Sequence, residues 1–534
     1  MNEPRPSPPS PTRDTTSDLF TKDDRASNSM ALSQSSSLSG WRAYTMIAAT
    51  SGSTLLNVFS GGALTVAVPS IGRDLRFTQS DLSWPLQAFN LTYGCLLLLT
   101  GRLADKYGRR TVFLLGTALF ALLSVPPIFC PDSVSFTVVM AVLGIAASLM
   151  TSSAMGLIGG NLEGALKNRA IAVLAGGQSI GFILGLLASG FLCDLHRGWR
   201  WIYVIQSALG TLFFLIGLAS IPKDRVKYER EMDWVGVALS TTGLVLLIFS
   251  LSQSQNVGWA TAYIPALFAI SVVVLGCFVA WEHTRERAGH AVLLAPSVFI
   301  KVRFSAMILL TFFVWWAFNA QEYFITLYYQ DVQLLSPSQT GLRFIPEAIS
   351  GVVLNTLIGW LVEYVPGQWL NAVGACAIIA SAAVFATMEP STSYWLSAFW
   401  IMILVSGADA IYTVGNLYTL TSMDERSQGL AGGLFGTTTR LATSVGLAVS
   451  SVLSTAVSVG RSPDAASRPA PGELLRGYHA VGWLALGMAA VGLALNIIFL
   501  RRLGVLGGKR GARLRKGEVE KDRKVDTAGQ IAAS

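Results

Sequence analysis

The sequence predicts an all-α, polytopic membrane protein of about fourteen transmembrane helices, arranged as two six-helix bundles with an inserted helix pair. Three observations predict it. Apolar residues take 52% of 534 positions and charged residues only 13%, which leaves too little polar surface for a water-soluble fold of this size. Apolar runs of about 20 residues recur along the chain, the length a helix needs to cross a hydrocarbon layer of about 30 Å. The runs are rich in Ala, Leu, Gly and Phe and lack strand-like alternation, so helices are favoured over a membrane barrel.

Residues 1–42 are rich in Ser, Pro, Thr and Asp with few large apolar side chains. Nothing there offsets the entropy of ordering, and a disordered cytoplasmic tail is expected. With no cleavable leader pattern, the first membrane helix is expected to serve as the targeting signal. The N-terminal bundle, 43–221, takes the runs at about 43–65, 82–103, 111–130, 134–158, 171–193 and 200–221. The inserted pair with its flanks, 222–303, takes those at about 234–253 and 262–282. The C-terminal bundle, 304–500, takes those at about 304–327, 340–363, 367–388, 394–419, 428–458 and 478–500, and a basic tail fills 501–534.

An even number of spans puts both tails on one side. The loops that would share that side carry Arg102, Lys106, Arg109, Arg110, Lys167, Arg169 and basic residues within 223–230 and 285–303. The opposite loops carry far fewer, so the positive-inside rule makes both termini cytoplasmic. A weak repeat accompanies this. Gly101-Arg102-Leu103-Ala104-Asp105 matches Gly359-Trp360-Leu361-Val362-Glu363, and Arg169 with Ala175-Gly176-Gly177 matches Arg426 with Ala431-Gly432-Gly433, both at a spacing near 257 residues. Two related bundles are expected, with a cavity between them near the bilayer midplane.

The formal charge of +8 comes from loops and tails beside apolar helices, which fits an anionic membrane surface and membrane lipid better than nucleic acid. Cys95, Cys130, Cys193, Cys277 and Cys376 lie within or at the ends of apolar runs without paired spacing, and read as small core residues. A bond between Cys130 and Cys193 is the open alternative. His196, His283, His290 and His479 are isolated, so no metal or catalytic cluster is expected, nor any cofactor. No nucleotide-binding loop is present to supply direct ATP drive.

The densest motif is Gly101-Arg102-Leu103-Ala104-Asp105-Lys106-Tyr107-Gly108-Arg109-Arg110. Its glycines permit a tight turn, Asp105 is suited to a neighbouring cation or a helix N-terminus, and the arginines hold the turn at the anionic inner surface. This pattern closely resembles the loop between helices two and three of the major facilitator superfamily, and the resemblance extends over about 43–500. Gly198-Trp199-Arg200-Trp201-Ile202-Tyr203, Asp233-Trp234-Val235-Gly236 and the extra helix pair resemble its fourteen-spanner drug:proton antiporter branch. The stretch from Trp84 to Gly94 is similar to the fungal aminotriazole-resistance group. The resemblance implies a non-enzymatic, secondary active carrier, exporting a small organic molecule against protons by alternating access. It also implies a monomer in the plasma membrane, with the vacuolar membrane as alternative. Helix four has Met140 and Leu143 where the family carries arginine and glutamine, and helix five has Leu186 and Ser189 where proline and glycine are usual. Uptake of a nutrient, uniport and solute sensing without transport therefore stay open.

Helix five keeps Gly181, Gly185 and Gly190, which are expected to pack helices closely. Ionisable side chains within spans are costly, so each is a functional candidate. These are Asp409 in helix twelve, Arg440 in helix thirteen and Glu322 late in helix nine. Glu347 lies near the end of helix ten, where a structural role is equally open. Trp316 and Asn319 accompany Glu322 in a stretch suited to a flat amphipathic solute, although an interfacial aromatic belt is the other reading. Gln178 follows two glycines in a helix expected to face the centre. Asn57, Gln87 and Asn90 are weaker candidates. Counting from the inner helix ends, Asp409 and Arg440 each lie roughly 16–18 Å deep, and the two are expected to pair, either as a proton-exchange site or as a fixed helix-joining ion pair.

Overall fold

The computed structural model describes residues 40–77, 84–193, 195, 198–223, 232–423, 427–459, 471–501 and 503–505. Residues 1–39, nearly all of the basic tail, Arg426 and residues 460–470 lie outside them. Among the described residues the long helices run in order as α1 Trp41–Leu75, α2 Trp84–Tyr107, α3 Arg109–Leu123, α4 Ser133–Asn161, α5 Gly164–Cys193, α6 Trp199–Ser220 and α7 Trp234–Val257. They continue as α8 Tyr263–Arg287, α9 Val302–Leu327, α10 Ile345–Leu361, α11 Gly367–Ala386, α12 in two parts (Ala398–Val405 and Gly407–Ser422), α13 Gln428–Val459 and α14 Pro471–Phe499. Among the described residues, thirteen candidate spans are long and apolar enough to cross a membrane. The fourteenth helix, α2, has 24 residues, and its Gln87, Asn90, Arg102 and Asp105 make it the more polar one.

Three elements depart from expectation. The first helix is 35 residues long and runs ten residues past the apolar stretch, until Arg76 adopts a left-handed conformation at φ 57°. Helix α12 is interrupted at Ser406, which the apolar pattern alone does not register. A short helix, Pro337–Arg343, precedes α10, with Ser336 and Gln339 forming a reciprocal capping box. Other starts follow local rules: Asp132 caps α4 by accepting the Ser135 amide at 3.3 Å, and Asp233 caps α7 through Gly236 at 3.0 Å. The Ser135 hydroxyl and amide hold the exposed Asp132 carboxyl below the usual carboxylate range.

Small residues bring the helices together. In the first half α1 packs along α5 and α6, α2 along α4, and α3 along α4 and α6. A Cβ at Gly181 would lie 2.4 Å from the Leu55 carbonyl oxygen, and one at Gly185 would lie 2.3 Å from that of Phe59, so both glycines permit direct backbone approach. Gly190 has nothing within 4 Å and does not pack helices as expected. Residues four apart share a helix face, and the position after Gly181 and Gly185 on that face is the fully buried Ser189. In the second half α9 packs on α13 and α14, and α11 on α12 and α14. The pair α7 and α8 packs on itself, and α7 also contacts α2 and α13. Helix α8 buries Ile264, Ser271, Phe278 and Glu282, one narrow stripe. Its remaining surface presents Ile270, Val272, Val273 and Val279 outward, as a lipid-facing helix does.

The halves meet chiefly where α13 crosses α2 and α4 and where α10 crosses α5. A Cβ at Gly101 would lie 2.4 Å from the Gly429 carbonyl oxygen, and one at Gly359 would lie 2.4 Å from the Ala172 Cβ. Gly359 and Gly429 stand near 257 residues beyond Gly101 and Ala172, so the two crossings occupy matching places in the repeat. All five cysteines are free, Cys130 and Cys193 included.

Candidate functional site

The loop motif forms a latch between the halves. Asp105 ends α2 deeply buried, and its carboxylate accepts the Gly429 amide at 2.9 Å and the Leu430 amide at 2.8 Å. These are first-turn amides of α13, groups with no partner inside the helix and a partial positive charge. Arg109 Nε donates to the same carboxylate at 3.0 Å, and its Nη1 donates to the Gly156 carbonyl at 3.1 Å. Asp105 thus meets both a cation and a helix N-terminus. Gly108, at φ 102°, makes the turn that returns Arg109 towards Asp105. Gly101 and Gly429 exclude side chains from the crossing, which lets the carboxylate reach the α13 backbone.

The remaining arginines tie the latch to its surroundings. Arg110 donates to the Leu218 carbonyl of α6 at 3.1 Å, and Arg102 to the Val292 carbonyl at 3.2 Å. Val292 belongs to the segment after α8. There Glu282, buried in α8, accepts the Leu293 and Leu294 amides at 3.2 and 3.4 Å. Asp233 accepts Trp281 Nε1 at 3.0 Å and pairs with Arg285 at 3.5 Å. The inserted pair is therefore anchored to the latch by Arg102.

A second group of polar residues gathers where helices begin within two of the candidate spans. Asp409 is in the first turn of the second part of α12, immediately after the interruption at Ser406, where the helix dipole favours a carboxylate. Glu347 is in the first turn of α10. Ser406 hydrogen-bonds the Ser350 hydroxyl at 2.6 Å and donates to the Glu347 carbonyl at 3.4 Å, joining the two starts. The Glu322 and Glu347 carboxyl groups are within hydrogen-bonding reach of each other, and the Asn355 side chain faces Asp409. Asn355 in turn accepts the Thr413 hydroxyl at 3.0 Å. From the first half, Ser179 approaches the same place, since a Cβ at Gly351 would meet both Ser179 and Asp409 at about 3.1 Å. Two carboxyl groups in contact can hold one proton between them, and a third nearby gives that proton somewhere to go.

The expected pairing of Asp409 with Arg440 is absent. Asp409 turns towards α10, whereas the Arg440 guanidinium lies 4.6 Å from the centre of the Tyr93 ring on α2. Equal depth fixed neither helix's rotation, and the two side chains leave their helices in different directions. Gln178 donates to the Tyr412 hydroxyl at 2.8 Å across the halves. The Tyr412 ring lies between Trp315 at 5.1 Å and Phe435 at 5.0 Å. Trp316 is elsewhere: its ring lies against Gly446 and its Nε1 reaches Ser450 at 3.5 Å, within the α9–α13 packing. One residue along a helix turns the side chain by about 100°, and Trp315 faces the centre instead. Asn319 donates to the Trp315 carbonyl of its own helix at 2.7 Å. Sequence reasoning missed Trp315, Tyr93, Tyr412 and Asn355. The interleaved aromatics around Glu322 hinted at Trp315, but nothing in the local pattern marked the other three.

The model of the Major Facilitator Superfamily matches residues 50–447. Among curated proteins, MFS-type transporter 1 of Pyricularia oryzae is 30% identical over 89% of this chain and 86% of its own length. Efflux pump terJ of Aspergillus terreus is 26% identical over 79% of this chain and 80% of its own. The aminotriazole resistance protein of Saccharomyces cerevisiae is 24% identical over 86% and 84%.

Proposed function

We propose that this chain, a transporter that belongs to the Major Facilitator Superfamily, exports a small organic molecule in exchange for protons. The observation that carries this reading is the meeting of Glu322, Glu347 and Asp409 at two helix starts inside the membrane, with Ser179 of the other half beside them. A carboxyl cluster at such breaks is a natural proton-exchange site. Solute bound between the halves would contact Gln178, Tyr412 and Trp315, residues contributed by α5, α12 and α9. In this reading the Asp105 latch closes one end of the pathway, and alternating access requires the Gly101–Gly429 crossing to open.

Both halves of the site come from one chain, so a monomer suffices. The relatives named as an efflux pump and a resistance protein support export, and the stretch Trp84–Gly94 supports a place near the aminotriazole-resistance group. Export of this kind suits the plasma membrane, or the vacuolar membrane if the solute is sequestered. The test is efflux of a compound panel from cells expressing the chain, with and without a proton uncoupler. Efflux abolished by the uncoupler is expected. Efflux indifferent to it leaves a uniporter, and inward accumulation leaves an uptake carrier.

A further inference from the structure

We propose that Arg440 is the anion-binding group of the solute site, and that the transported solute is a planar aromatic compound bearing a carboxylate or a similar negative charge. This rests on the export reading only in calling the ligand a transported solute. Arg440 lies 12 residues into the 32-residue α13, about 18 Å along its axis at 1.5 Å per residue. A guanidinium at that depth needs a counter-charge or a hydrated space. The ion pairs among the described residues are Arg109–Asp105 and Arg285–Asp233, and neither involves Arg440.

The carboxyls of Glu322, Glu347 and Asp409 are gathered around α10 and are not within ion-pairing distance of this guanidinium. What Arg440 meets is the face of Tyr93, which is itself stacked on Phe89 at 6.1 Å and 15°. A ring face supplies a partial negative potential, less than a full counter-charge. Gly94 lies under Arg440, where a Cβ would come within 3.3 Å of the Arg440 Cβ, so what α2 offers the guanidinium is an aromatic wall, its Asp105 being engaged in the latch. Arg440 is only half-buried and remains accessible. The Tyr412 hydroxyl is within electrostatic reach of it, and beside Tyr412 stand Trp315 and Phe435. Cation, ring walls and the Gln178 amide together fit a flat ring system with an anionic end.

The proposal is tested by equilibrium binding of tritiated 2-naphthoate to the purified full-length protein in lipid nanodiscs at symmetric pH, competed by 2-naphthoate, 2-naphthamide and 2-naphthylmethylamine. The expected result is saturable binding, with the carboxylate competing roughly tenfold to a hundredfold better than the amide, the range for hydrogen bonds to a charged group. Arg440→Gln is expected to lose that preference. Arg440→Lys keeps charge without the planar fork and should fall between. The wild-type competition series stands without any variant, so a variant that fails to fold does not blunt the test. Absence of naphthoate binding, an amine that competes better than the carboxylate, or a preference unchanged in well-folded Arg440→Gln overturns the inference. No pH gradient enters the assay. Uncoupler-sensitive efflux of other compounds alongside failed naphthoate binding therefore sinks this inference alone, and selective binding without uncoupler-sensitive efflux sinks the export reading alone.

Discussion

At the scale of single residues, the latch depends on one carboxylate serving two backbone amides and a guanidinium. Each such charge-assisted bond contributes about 1.5–3 kcal/mol, and Asp105→Asn replaces an acceptor-only group with one that also presents donors. Transport by Asp105→Asn is expected to fall about tenfold or more at normal surface abundance, measured as initial efflux rate per protein at the membrane. Normal rates at normal abundance would make the turn a mere connector. Gln178 and Tyr412 make a second test. If their hydrogen bond positions the Tyr412 ring, Gln178→Leu and Tyr412→Phe should each raise KM several-fold, and the double variant should be little worse than either, because neighbours in one contact are not additive. Asp105 was legible in the sequence because its partners are set by local chemistry, a cation four residues on and a buried carboxylate's need for donors. The direction of Asp409 was not. Depth follows from counting residues, whereas rotation about the helix axis is decided by the packing of α10 and α12, which no local pattern carries.

At the scale of helices, glycine positions separate crossings that need backbone contact from those that do not. Gly374 and Gly407 place each other's carbonyl oxygens 2.5–2.6 Å from where a Cβ would be, fixing α11 against the interruption in α12. Gly185 has the same relation to α1, and Gly190 has open space around it. Leucine at position 185 or 407 should lower the thermal aggregation midpoint in detergent and reduce folded yield, since overpacking against backbone costs about 1–3 kcal/mol or more. Leucine at 190 should leave both unchanged, and an equal loss at 185 and 190 would contradict the packing described. Most helix spans were readable from apolar run length because lipid imposes that length. The break at Ser406 was not, since Ser406 and Gly407 are ordinary residues in membrane helices and only the tertiary contacts with Glu347, Ser350 and Gly374 explain the interruption.

At the scale of the whole molecule, the proposed alternating access has the two halves separate at the Gly101–Gly429 crossing. Gly101→Leu puts a side chain where the closed crossing admits none, so it is expected to lower the initial efflux rate more than surface abundance. Undiminished transport at normal abundance would place the moving parts elsewhere. The family and the two-bundle repeat were visible in motifs spread along the chain, but the meeting of Glu322, Glu347 and Asp409 from three separate helices exists only once they are packed. The most direct test of that cluster follows solute and protons together in proteoliposomes, with a trapped pH dye reporting proton movement. The wild type is expected to couple solute flux to an opposite proton flux. Asp409→Asn with Glu347→Gln is expected to retain downhill solute exchange while proton flux falls to the level of empty vesicles. Coupled proton flux that survives in this double variant, at unchanged solute exchange, would contradict the assignment of proton exchange to the cluster.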